Sequence, residues 1–254
     1  MSSGAPLFSI VVIDYDKSVS RSDFRRKMKC LSDQTCKDFE VLVYHDGPKA
    51  VPYEEDVKDI DLHPNTKFVI TERHEGDWGH SNRDRGIRAA SGEWIIHTNA
   101  DNLFYPNLVK TLKEKALKAS MPVTIVRRRR LPIIVKSIAR RSDKILGTSL
   151  QKVSVSSGVV ENILVYPILM RGVFPLRNKW VRVKEKADDA AIVLSGIPVR
   201  YANVDLMQVV LRRKVWLAEG GWHDKRENSD GHMYERFAKK YNVLAITQIL
   251  GEHW

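Results

Sequence analysis

The strongest constraint on the fold is a recurring pattern in the first 126 residues: short apolar runs, each followed by a stretch of helical periodicity. Phe8-Ser9-Ile10-Val11-Val12-Ile13 is too short for a helix and lacks polar alternation, as expected of a strand buried on both faces. A helix capped by Ser22 or Asp23 follows, with Phe24, Met28 and Leu31 at i, i+4 and i+7. Phe39 to Tyr44 reads as a second strand closed by the turn tetrapeptide His45-Asp46-Gly47-Pro48, and Lys67 to Thr71 as a third. A helix from Ser81 or Asn82 to a terminating Gly92 precedes a fourth strand, Trp94 to Thr98. Pro106 opens a helix bearing Leu108, Leu112 and Ala116, and Pro122 to Val126 is a fifth strand. Strands separated by helices need right-handed crossovers, so the pattern predicts an α/β chain with a mostly parallel central sheet flanked by helices. Ligands of such sheets bind beyond the strands' C-terminal ends. Asp14, Asp46 and Asp101 each stand at such an end, which predicts three carboxylates on one rim.

Later signals are sparser. Met207 to Leu211 is strand-like, Asp230 to Lys240 is helical with Met233, Phe237 and Tyr241 on one face, and Val243 to Leu250 reads as a last strand. With 254 residues, 43% of them hydrophobic, the chain can bury a core without disulfides. Cys30 and Cys36 have no partners at metal-finger spacing and suit a reducing compartment. No apolar run reaches 18 residues, and Met1 to Pro6 lacks the features of a secretory signal, so a cytoplasmic location is expected. The net charge of +11 is concentrated: residues 127–186 hold 15 Lys/Arg against 3 Asp/Glu. Such a segment points to an anionic partner. Leu131, Ile134, Ile138 and Ile145 have helical spacing after the run Arg127-Arg128-Arg129-Arg130. That pattern suits peripheral contact with an anionic membrane through 127–145, each basic residue adding about 1 kcal/mol near the surface. It equally suits an acidic glycan or a solvated face. Without regular aromatic interleaving, nucleic acid is not an expected partner.

Asn99-Ala100-Asp101-Asn102 ends the fourth strand with hard oxygen donors fit for Mg²⁺ or Mn²⁺, although Asn and Asp are also common turn residues. Around it lie Leu31-Ser32-Asp33-Gln34-Thr35, Asp38 to Val43 with His45-Asp46-Gly47, and Gly79-His80-Ser81-Asn82-Arg83-Asp84-Arg85-Gly86, running on to Ile95. In this order they resemble the early part of the family-2 glycosyltransferases. Gly220-Gly221-Trp222 and Ser229-Asp230 look like that family's acceptor-side segment. The resemblance covers residues 7–107 well and 205–254 moderately, and leaves 127–200 unmatched.

The resemblance implies a GT-A fold in one continuous domain. Residues 1–126 would form the nucleotide-sugar-binding half, and 127–254 the acceptor half with a basic insertion at about 127–186. It implies glycan biosynthesis: transfer of a sugar from a nucleotide diphosphate, UDP by family habit, to a hydroxyl of a glycan or lipid-linked acceptor, with inversion. By position, Asp14 and Tyr15 would line the base and ribose pocket, Asp46 would bond the base, and Arg83 would lie near the diphosphate or base. Asn99, followed by Ala100, would lie near the ribose, and Asp101 would hold the metal. The family usually has Asp where this chain has Asn99, Asn where it has Asp84, and often an acid at His45. One carboxylate fewer leaves the metal short of ligands, a place that His253 would fill as a late histidine; beside it Trp254 argues for a packed segment. Asp230 would be the catalytic base, a role compatible with an N-cap, and Asp224 the reserve. Gly221 and Trp222 would shape the acceptor site, or else form a turn with a core Trp. Trp78 and His80 lie in a glycine-flanked loop suited to a lid. Two other enzyme-fold readings compete. A nucleotidyltransferase would need a Gly- and Lys/Arg-rich loop after the first strand, where Asp14-Tyr15-Asp16-Lys17-Ser18 has no glycine. An inactive GT-A fold would follow from Asn99. A basic anion- or nucleic-acid-binding protein built on 127–186 is the non-enzymatic alternative.

Overall fold

In the computed structural model, β1 (Phe8–Asp14) is buried at every position because both of its faces meet an apolar layer. The structure describes residues 4–119, 123–124, 156–157, 162–171, 173–176, 179–182, 191–227 and 229–254. In chain order the first half continues with α1 (Arg21–Ser32), β2 (Phe39–His45), α2 (Tyr53–Val57), β3 (Thr66–Ile70), α3 (His80–Ala89), β4 (Trp94–Asn99), β5 (Leu103–Phe104) and α4 (Leu108–Ala119). Two short strands, β6 (Val123–Thr124) and β7 (Ser156–Ser157), pair antiparallel within a separate unit, residues 120–160. The main unit resumes with β8 (Ile163–Val165), β9 (Ile168–Arg171), the antiparallel pair β10 (Val173–Leu176) and β11 (Lys179–Arg182), and β12 (Ala191–Leu194). It ends with β13 (Val209–Arg212), α5 (Arg213–Ala218), α6 (Ser229–Lys240), β14 (Val243–Ala245) and β15 (Gly251–His253).

The main sheet has the order β14-β8-β13-β4-β1-β2-β3. The four strands β3, β2, β1 and β4 are parallel, and β13 runs antiparallel to both β4 and β8. Register puts Asp14 beside His45 and Ile13 beside Asn99, so the carboxyl ends of β1, β2 and β4 are level. Side-chain alternation divides β1 between two cores. Ile10 and Val12 join Phe24, Met28 and Leu31 of α1 and Leu108, Leu112 and Ala116 of α4. Val11 and Ile13 join Ile87, Trp216, Trp222 and Phe237 on the opposite face. Each such side chain contributes about 1.5–3 kcal/mol by leaving water. A second sheet, β12-β9-β15-β5, carries His253 at the end of β15.

Several local expectations are corrected. The α1 cap is Ser20, two or three residues earlier than Ser22 or Asp23, and its hydroxyl accepts from the Asp23 N–H at 3.1 Å. Helix α3 starts at His80, with Asp77 rather than Ser81 or Asn82 serving the first turn: its carboxylate accepts from the Ser81 N–H at 2.9 Å. Gly92 does not end that helix. It lies where the α3–β4 connection presses on β1, and a Cβ there would come within 2.6 Å of the Phe8 carbonyl carbon and the Ser9 nitrogen. The run expected as a strand from Met207 to Leu211 begins instead as a 3₁₀ turn, Leu206–Gln208. Asp205 caps this turn by accepting from Met207 N–H, while Gln208 accepts from Asp205 N–H, and β13 follows. The last strand expected to run from Val243 to Leu250 stops at Ala245, and the chain re-enters the other sheet at Gly251. Of the expected fifth strand the described residues are Val123–Thr124, which pair with β7. The helical pattern at 131–145 and most of the basic segment lie outside the described residues. Among the described residues, no helix is long and apolar enough to cross a membrane, and both cysteines are free.

Gly92→Ala is expected to lower the unfolding free energy by about 1–3 kcal/mol, because the added methyl meets backbone that cannot move aside. Urea unfolding at constant m-value measures it; an unchanged midpoint would refute the close approach.

Candidate active site

The level strand ends build the site in two corners. In the first, Asp14 closes β1 at 2% exposure and accepts from the Tyr53 hydroxyl at 3.0 Å. The Lys49 ammonium, almost wholly buried, lies 3.6 Å from Asp14, 3.0 Å from Asp16 and 3.2 Å from Asp56. Burial raises the Asp14 pKa, and Lys49 and Tyr53 oppose that shift. The ammonium, despite its own desolvation, is held above its ordinary range by these carboxylates. Asp14, Asp16 and His45 present ligand atoms within 4.8 Å of one another, a spacing that suits a divalent cation. Lys49 already supplies the positive charge at that spot.

Beside this corner, the Tyr15 ring stacks on His74 with centroids 4.4 Å apart. His74 Nδ1 is 2.7 Å from Asp46, whose other oxygen accepts from Asn82 Nδ2 and Glu75 N–H, each at 3.0 Å. Asp46 thus joins the end of β2 to the loop after β3 and to α3, with both oxygens used by protein donors.

The second corner centres on Arg83 of α3, 2% exposed. One terminal nitrogen bonds Asn99 Oδ1 and the other the Trp78 carbonyl, while its Nε is buried without a hydrogen-bond partner. Burial lowers the guanidinium pKa; Asp230 is the largest opposing influence, with Asp205 also contributing. Ala100 is fully buried in the core. Asp101 Oδ1 is buried without a hydrogen-bond partner. Burial raises the Asp101 pKa, and the charges of His253 and Lys27 act against it. Lys27 is fully buried, 3.1 Å from Thr98 Oγ1 and 3.6 Å over the Phe104 ring, and burial brings its pKa down to about 8.

His253 Nδ1 is 3.0 Å from Asp205, the residue that caps the 3₁₀ turn. The sequence reading did not single out Asp205; its one local signal is the pairing with Gln208. Half-buried Asp230, in the first turn of α6, has its pKa raised to about 6 by desolvation and by the charge of Asp205, with Arg83 opposing. Asp224, half-buried, is bonded twice by the Arg226 guanidinium at 3.0 and 2.8 Å, which holds its carboxyl far below the ordinary range. Arg83, Asn99, Asp101, Asp205, Asp230 and His253 therefore share one electrostatic neighbourhood, whereas Asp14, Tyr15 and Asp46 occupy the Lys49 side.

Gly221, at φ 88°, approaches α3 so closely that a Cβ would lie 2.2 Å from Asp84 Oδ1. The same oxygen accepts from Trp222 N–H at 3.2 Å and Trp216 Nε1–H at 3.1 Å. Trp222 is 4% exposed, stacked on His80 at 4.3 Å and donating through Nε1 to Ser229 at 2.9 Å. Asp84 thus clamps the Gly221-Trp222 turn to α3, and Trp222 packs as a core residue. Burial and Arg83 lower the His80 pKa to about 4, leaving the ring neutral.

A parallel sheet of this order, extended by one antiparallel strand and carrying acids at its carboxyl edge, has the architecture of the GT-A glycosyltransferases. The sequence profile of glycosyl transferase family 2 matches residues 9–174, and the chain belongs to that family. The uncharacterized glycosyltransferase YibD of Escherichia coli K12 is 29% identical over 102 residues, 40% of this chain and 28% of YibD. Staphylococcus aureus TarS 1–349 superposes with a TM-score of 0.59 at 12% identity, over 96% of this chain and 59% of that one. The mannosyltransferase PcManGT of Pyrobaculum calidifontis, solved with GDP-Man and Mn²⁺, gives 0.56 at 13% identity, over 99% and 57%. The chain spans less than two thirds of each of these proteins.

Lys49→Met is expected to cost about 3–5 kcal/mol, because it leaves the buried Asp14 carboxylate without its cation, whereas Asp56 keeps Arg21 at 2.6 Å. Mn²⁺ should stabilise the variant more than the parent in nucleotide-free urea unfolding. An equal response would show that Lys49 does not fill that position.

Proposed function

We propose that this chain is a metal-assisted glycosyltransferase, moving a sugar from a nucleoside diphosphate donor to an acceptor hydroxyl with inversion. The observation that carries the reading is the buried, unpartnered Asp101 oxygen in the same neighbourhood as Arg83 and Asp230. A buried carboxylate oxygen without a donor is costly unless a cation meets it, so the residues fit Mn²⁺ or Mg²⁺. Asp101 would supply oxygen, and His253 would meet the ion through Nε2, since Asp205 takes Nδ1 and sets the tautomer. When bound, such an ion stabilises the charge of the departing diphosphate.

The chain's own residues supply the rest. The Arg83 guanidinium, dehydrated and already tied to Asn99, offers charge to the diphosphate without reorganisation. The acceptor oxygen attacks the anomeric carbon, the bond to the diphosphate breaks, and Asp230 takes the hydroxyl proton. With its pKa near 6, Asp230 is ionised at neutral pH yet a better proton acceptor than an ordinary aspartate. Asp224, held low by Arg226, lacks that property. The Tyr15–His74 stack gives the base an aromatic wall. The structural relatives were solved with UDP-GlcNAc, UDP and GDP-Man, which supports a uridine or guanosine diphosphate sugar here. The charge of 127–186 supports an acidic glycan or a lipid-linked acceptor at a membrane surface. Residues 1–126 would bind the donor and 127–254 would supply most of the acceptor site.

Thermal unfolding with UDP, GDP, dTDP and CMP, with and without Mn²⁺, tests the donor site. One nucleotide at 100 times its dissociation constant should stabilise the fold by about 2.7 kcal/mol. That gain should need Mn²⁺ and disappear in Asp101→Ala; no shift with any nucleotide would overturn the reading. Asp205→Asn should weaken Mn²⁺ binding in the presence of UDP by about 10- to 100-fold by calorimetry. The base must be unprotonated to act, so the transfer rate should fall as pH drops through about 6. Asp230→Asn should abolish transfer and keep the nucleotide shift, whereas full activity in that variant would remove Asp230 as the base.

A further inference from the structure

We propose that Trp78 is a stacking platform for a pyranose ring of the acceptor, a subsite that rests on the transferase reading above. Trp78 is 62% exposed, the most open large apolar side chain among the described residues. Its φ is 61°, left-handed backbone that costs a non-glycine residue about 1–3 kcal/mol. An exposed indole and a strained backbone are two separate costs at one position, and the surroundings hold the backbone in place. The Trp78 carbonyl accepts from Arg83 Nη1 at 2.6 Å, and on its other side Asp77 is tied down by Ser81, through N–H at 2.9 Å and Oγ at 2.5 Å. The guanidinium that fixes Trp78 is therefore the one that bonds Asn99 and faces Asp230. The Trp78 backbone is thus anchored to a residue of the proposed reacting site.

The neighbouring rim supplies the polar half of a sugar site. The loop before α6 meets the Trp78 loop through His80 Nε2 and the Arg226 carbonyl at 3.1 Å, and through Lys225 and Asp77 at 4.0 Å. It brings the ion pair of half-buried Asp224 and exposed Arg226, together with Lys225, alongside. A flat ring with a negative face takes the C–H face of a pyranose, while carboxylate and guanidinium edges bond its hydroxyls. Trp222 cannot serve as this platform because His80 covers its face. This assigns Asp224 and Arg226 to hydroxyl recognition, leaving proton transfer to Asp230.

The test uses the full chain with ¹⁵N-labelled indoles, the Trp78 signal being identified by its loss in Trp78→Phe. Methyl β-D-glucopyranoside, methyl α-D-mannopyranoside and methyl N-acetyl-β-D-glucosaminide are titrated in the presence of UDP and Mn²⁺, with ribitol as the ringless polyol. At least one pyranoside should move the Trp78 signal while ribitol leaves it in place. Trp78→Ala should weaken that sugar by roughly 3- to 10-fold, and Trp78→Phe should recover most of the loss. If no pyranoside moves the signal, if UDP alone accounts for its movement, or if Trp78→Ala binds the sugar as well as the parent, the platform is overturned. The transferase reading fails by a different readout, the absence of any nucleotide stabilisation in the same samples.

Discussion

A single buried guanidinium, that of Arg83, links the parts on which this site depends. It leaves α3 to bond the end of β4 through Asn99 and to hold the backbone of Trp78, while its charge faces Asp230 and Asp205. Such a group is costly to desolvate unless opposite charge and acceptors surround it, so the geometry around it is strongly coupled. The position where the family usually carries a carboxylate is here an amide. Asn99 spends its oxygen on Arg83, which leaves the guanidinium's charge to be balanced by the acids across the crevice and not by its nearest neighbour.

The two corners of the rim show how differently a fold can treat clustered acids. On the Tyr15 side, Lys49 lies among Asp14, Asp16 and Asp56, and the cluster is closed upon itself. On the β15 side, Lys27 stays farther back against Thr98 and Phe104, and an Asp101 oxygen is left with no donor. Spacing alone favours the first as a cation site. Charge balance favours the second, and it is the better guide because an ammonium within 3–4 Å of the ligand atoms repels a divalent ion.

Much of the fold was legible because strand and helix periodicities are local. Phe24, Met28 and Leu31, or Leu108, Leu112 and Ala116, face one core for reasons contained within their own helices. Boundaries failed where a distant group decided them. Gly92 looks like a helix terminator until β1 is seen pressing on it, and Met207 looks like a strand residue until Asp205 folds it into a capped turn. Of the residues proposed for the site, Asp101, Arg83 and Asp230 were singled out from motif order. Asp205 was not, because a capping pair says nothing of the histidine it meets on another sheet. Lys49 was missed for the same reason, its three acids being drawn from β1, the following loop and α2.

The sequence by itself determined the alternating α/β plan, the family, and the placing of Asp14, Asp46 and Asp101 at strand ends. These follow from periodicity and from the level ends of parallel strands. Only the tertiary structure decided which acids are neutralised, which indole is buried and which stays open. Asp46 is consumed by His74, Asn82 and Glu75; Trp222 is covered by His80; Trp78 and the Asp101 oxygen are not. Hydrogen bonds and ion pairs act over about 3–4 Å, so these outcomes depend on which segments the chain brings together.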